Sequence, residues 1–135
     1  MSIIVTDTGF AEDTWTGGFA SPDCANDVAA LDVPSDADPH ALANRLTGLD
    51  MIRIDFPSFA DGRGFTLARQ FRLMGYKGRL RAKGHVIADQ YAMARRSGFD
   101  EVEIDADLAA RQPEDQWLAR ADWQAHDYQS RLRGA

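Results

Sequence analysis

Four stretches of alternating apolar and polar residues, opening at Val28, Met51, Arg79 and Val102, recur every 23 to 28 residues. That interval holds one strand, one helix and two short turns. It is the signature of consecutive βα units feeding a parallel sheet. Helix signals fall between the strands. Asp38-Pro39 reads as an N-cap followed by proline at the first helical position. Leu42 and Leu46 share a face, and Gly48 sits where a capping glycine belongs. Leu67, Phe71 and Met74 mark a helix over about 65–74 that Gly75 stops. Asp89 is placed to cap a further helix that Gly98 ends, and Pro113 opens a last one with Glu114 and Asp115 in its first turn. Trp117, Ala121, Tyr128 and Leu132 form the apolar stripe of that helix.

The alternation within the strands constrains the layers. Ile52, Ile54 and Phe56 oppose Arg53 and Asp55; Leu80 and Ala82 oppose Arg79, Arg81 and Lys83; Val102 and Ile104 oppose Glu101, Glu103 and Asp105; Leu31 and Val33 oppose Asp32. Strands covered by helices on both faces would read as nearly unbroken apolar runs. These do not, so the pattern predicts helices on one face and a charged opposite face. Crossovers of one hand place consecutive helices on the same side. The expectation is a single α/β domain over 1–135, with an N-terminal β-hairpin over 1–20. About four βα units and a C-terminal helix follow over 28–132, on a mainly parallel sheet that is half-barrel-like or open. In the hairpin, Ile3–Thr6 turns at Thr8-Gly9 and returns toward Trp15.

At 135 residues with 44% hydrophobic and 27% charged residues, the chain has the composition of one soluble globular domain. A net charge of -6 argues against nucleic acid as partner. No run approaches a membrane span, and Met1–Val5 lacks a cationic leader. One cysteine, Cys24, fits a reducing compartment, so the expected location is the cytoplasm. The charge is unevenly laid out: residues 1–50 hold nine acids and one base, while positions 62–88 hold seven bases and no acid.

Two candidate sites follow. The strand ends carry Asp32, Asp55, Lys83 with His85, and Asp105, at the edge where parallel α/β proteins bind ligands. That mixture suits a divalent metal or acid–base work, although its spacing matches no known ligand motif. The loop Asp61-Gly62-Arg63-Gly64 lies between a strand and a helix, the setting for an anion on free N–H groups. Arg63 adds a fork suited to oxyanions. With the basic strand, the anion-binding candidates are Gly62, Arg63, Gly64, Arg79 and Arg81. Against them stand a plain turn and a cross-strand salt-bridge ladder. The loop is neither a Walker loop nor a dinucleotide fingerprint, so no cofactor is expected.

The runs "FPSFADGRGFTLARQFR" and "GYKGRLRAKGHVIADQYAMARRSGFDEVEI" resemble a bacterial family of unknown function over roughly residues 50–105. Genes of that family typically lie beside those of assimilatory sulfite reductase, and its members are often labelled oxidoreductases of sulfite reduction. The resemblance implies a place in sulfur assimilation, with a sulfite reductase subunit as partner. It supplies no catalytic residues. Ser97 stands where members commonly have cysteine, and His85 where they have an acid, which favours binding over redox chemistry. The resulting expectation is an accessory protein that binds a small oxyanion or docks on the reductase, possible also as a homodimer. The alternatives are a small enzyme at the strand ends and a purely structural interaction module.

Overall fold

The computed structural model describes residues 2–22 and 28–123. Cys24, His126 and the helical stripe through Tyr128 and Leu132 lie outside the described residues. Six strands form one open sheet: β1 (Ser2–Thr6), β2 (Gly9–Ala11), β3 (Ala30–Val33), β4 (Met51–Phe56), β5 (Arg79–Gly84) and β6 (Glu101–Asp105), in the order β2-β1-β6-β5-β4-β3. β3 to β6 run parallel in chain order, and the N-terminal hairpin joins antiparallel through β1 to β6. The fold is therefore α/β with a mostly parallel sheet.

The connections differ in detail from the periodicity. Asp38 caps as expected, its carboxylate accepting the His40 N–H at 3.0 Å, but Pro39–Gly48 winds as a 3₁₀ helix. Gly48 is its last residue and lacks the left-handed backbone of a capping glycine. α1 (Arg63–Leu73) begins ahead of its apolar stripe and ends before Gly75, at φ +99°. A short 3₁₀ turn, Ala88–Gln90, leads into α2 (Tyr91–Ser97). The Gln90 side chain, not Asp89, satisfies the end, accepting the Ile87 N–H at 3.0 Å, while Asp89 pairs with Arg120. α3 (Ala106–Arg111) was not anticipated; Asp105 caps it by accepting the Leu108 N–H at 2.8 Å. α4 (Glu114–Leu118) then follows Pro113.

One face of the sheet carries the core. Leu31, Ile52, Ile54, Leu80, Ala82, Val102 and Ile104 pack with Leu46, Phe71, Tyr91 and Trp117 in a single buried cluster. Every apolar strand position read from the alternation lies in it, and all the helices supply its other side. None of those helices among the described residues is long and apolar enough to cross a membrane.

The opposite face departs from expectation. Among the described residues no helix covers it, yet Arg81 is 0% exposed, Glu103 4% and Glu101 6%. The cover is residues 12–19, those up to Trp15 being expected to continue the return strand of the hairpin. β2 instead stops at Ala11, and the chain reaches the far edge of the sheet by Ala20, which bridges Leu31 of β3. There the Ala20 N–H donates to Ala30 O at 3.0 Å, and the Asp32 N–H donates to Ala20 O at 2.9 Å. Six interstrand steps make about 29 Å, and nine extended residues reach about 30–32 Å. The segment consequently runs directly across the face, as a strap, rather than looping out from it.

Candidate functional site

Register places the charges of the polar face in rows. Asp32, Arg53, Arg81 and Glu101 stand abreast on β3, β4, β5 and β6, and one pleat further on stand Asp55, Lys83 and Glu103. Side-chain length then decides who pairs. The Arg81 guanidinium donates from Nε to Glu101 at 2.6 Å and from Nη1 to Glu103 at 2.9 Å. Its two terminal nitrogens also grip Asp13 of the strap, at 3.0 and 2.8 Å. Four bonds leave one of its five N–H groups. Burial works against the cation, but Asp13, Glu101 and Glu103 outweigh it and hold the Arg81 pKa above its ordinary value. Arg53 is bidentate to Asp32, reaches Glu103 at 3.0 Å, and stacks over the Phe19 ring at 3.7 Å. Arg79 reaches Glu101 at 2.7 Å.

The strap crosses the middle row and leaves the strand ends open. A cavity of about 260 Å³ lies there, lined by Asp32, Val33, Pro34, Arg53, Asp55 and Lys83. Glu103, opposite Lys83 in register, is turned to the two arginines. Among the described residues Lys83 and Asp55 therefore have neither an ion pair nor a side-chain hydrogen bond. Of the four strand-end acid–base candidates, Asp32 is committed to Arg53 and Asp105 to the α3 cap. Asp55 and Lys83 remain together at the cavity. Val33, Pro34 and Arg53 join them without having been singled out. His85 lies beyond them, its Nδ1 3.1 Å from Phe56 O. Ser97 is buried in a separate groove between α1 and α2.

The Gly-Arg-Gly loop has a local explanation. Asp61 supplies its own anion to the start of α1: its carboxylate accepts the Arg63 N–H at 3.0 Å, pairs with the Arg63 guanidinium at 3.0 and 2.8 Å, and takes the Ser35 hydroxyl at 3.1 Å. The Arg63 bonds hold the Asp61 pKa well below the usual carboxylate range. Gly64 is demanded by packing, because a Cβ there would lie 2.5 Å from the Phe56 ring. Gly62 meets nothing closer than 3.9 Å. A second cavity, of about 370 Å³, borders Arg63 but also carries Asp36. Among the described residues no three His, Cys, Asp or Glu side chains cluster as a metal site.

The strap was illegible as part of a site. Asp13 and Phe19 belong to no periodic pattern; the charge ledger, a base-rich 62–88 needing acids from elsewhere, is a signal for Asp13, and nothing signals Phe19.

A family model for bacterial proteins of unknown function (DUF934) matches residues 30–135. The chain belongs to the DUF934 family. No curated protein and no solved structure matches it. The DUF934 match takes in β3 to β6 with their helices, and hence every residue that lines the strand-end cavity; the hairpin and the strap precede it.

Proposed function

We propose that this DUF934 chain is an accessory protein of assimilatory sulfite reduction, holding a small oxyanion in the strand-end cleft and presenting it to a reductase subunit. Lys83 carries the reading. Of the cations on the sheet's polar face, Arg53, Arg79 and Arg81 are each bound to carboxylates, whereas Lys83 lines a cavity with no partner among the described residues. The anion is placed there rather than on Arg79, Arg81 or Arg63, whose carboxylate partners already supply the charge an oxyanion would bring. The sulfur connection rests on the family resemblance.

Thermal unfolding with added anion tests the binding half. Ligand at ten times its Kd stabilises by about 1.4 kcal/mol, which moves the melting point of a chain this size by about 3–6 °C. Millimolar sulfite or phosphate is expected to produce such a rise in wild type and none in Lys83→Met. No rise in wild type removes the binding half.

The docking half is supported by the helical layer. α1 and α2 carry no acid; of their arginines, Arg63, Arg72 and Arg95 pair with Asp61, Asp100 and Asp7, while Arg69 and Arg96 have no carboxylate partner among the described residues. The same helices expose Leu73 (80%) and Met93 (54%). Co-purification with the reductase subunit should weaken on joint Arg69→Glu and Leu73→Ser substitution. Absence of any complex for wild type would overturn this half.

A further inference from the structure

Resting on the oxyanion reading of the same cleft, we infer that it selects anions that carry a hydrogen, and that Asp55 is the selecting residue. The cavity is lined by two cations, Arg53 and Lys83, and two carboxylates, Asp32 and Asp55, so its formal charge sums to zero. Arg53 is already shared between Asp32 and Glu103. A ligand therefore meets Lys83 and Asp55, register partners on adjacent parallel strands whose side chains leave the same face. A fully ionised anion can satisfy Lys83 only by bringing its charge beside Asp55. A hydrogen-bearing oxyanion offers an acceptor oxygen to the ammonium and an O–H donor to the carboxylate. The carboxylate of Asp55, an acceptor only, rewards the second and repels the first. A site built to hydrogen-bond a ligand's O–H rejects an analogue that lacks it.

Phosphate and sulfate make the test clean, since at neutral pH they are tetrahedral anions of similar size that differ in the proton. Calorimetric titration of wild type, Asp55→Asn and Lys83→Met at pH 7 in a non-coordinating buffer is the experiment. Wild type should bind phosphate at least about tenfold more tightly than sulfate. In Asp55→Asn the amide both donates and accepts and the cleft gains one positive charge, so sulfate affinity should rise until the two differ by less than about threefold. Lys83→Met should lose both. Equal binding of the two anions by wild type, with both lost in Lys83→Met, would leave the oxyanion reading standing and overturn the selection. Undiminished discrimination in Asp55→Asn would also overturn it. If wild type binds neither anion, the oxyanion reading itself falls, and the selection with it.

Discussion

Arg79 and Arg81 sit two residues apart on one strand and share a carboxylate, yet they should behave differently when removed. Arg81 is fully buried and bonded to three acids, so Arg81→Met strands desolvated carboxylates and should destabilise by about 3–5 kcal/mol in chemical denaturation. The Arg79 side chain is 36% exposed with one acid to lose, and Arg79→Met should cost about 1 kcal/mol or less. Comparable costs for the two would mean that the strap does not seal the face in solution. The glycines of the loop separate in the same manner. Gly64→Ala presses a methyl into Phe56 and should cost about 1–3 kcal/mol, while Gly62→Ala should stay within about 1 kcal/mol. Asp61 adds a pH signature. Its folded pKa is depressed by Arg63, so its contribution to stability is complete above the unfolded carboxylate pKa and is lost as pH falls toward the folded one. Arg63→Met should raise the Asp61 pKa toward the ordinary range by NMR titration and flatten the acid limb of the stability profile.

At the level of elements, the strands were legible because a period of two survives any context in which one face is apolar. Met51–Phe56 was read to the residue, since Pro57 follows it and each of its alternate positions chooses a side. The misread connections share a cause: their ends are set by side-chain bonds that spacing does not show. Asp105 looked like a strand residue and is also the cap that starts α3; Asp89 looked like a cap and instead pairs with Arg120. The strap was the least readable element, since residues 12–19 have no period and acquire meaning only from the arginines beneath them. Its anchor at Ala20 can be probed directly. Ala20→Pro removes the N–H that donates to Ala30, and hydrogen exchange at the Asp32 amide should accelerate if the far end of the strap comes loose. Unchanged exchange would show that Asp13 and Phe19 suffice to hold it.

Across the whole molecule, charge is sorted by layer. α1 and α2 carry arginines without acids of their own, the strand side carries acids and bases locked together, and, among the described residues, the open rim of the strands keeps one ammonium and one carboxylate unpaired. The candidate site was half legible for that reason. The alternation named Asp55 and Lys83, but their freedom depends on Glu103 choosing the arginines, a choice made by reach and burial that no linear pattern records.

The family match begins at residue 30, behind both the hairpin and the strap. A fragment cut at that boundary would keep every matched position and still be a poor protein. It would lay bare the backbone edge of β6 where β1 now pairs, and wet the ion pairs that Asp13 and Phe19 now keep dry. An unpaired inner strand is an invitation to sticking. Such a fragment should precipitate more readily than the longer chain, so residues 2–22, though outside the matched region, act as part of this chain's fold.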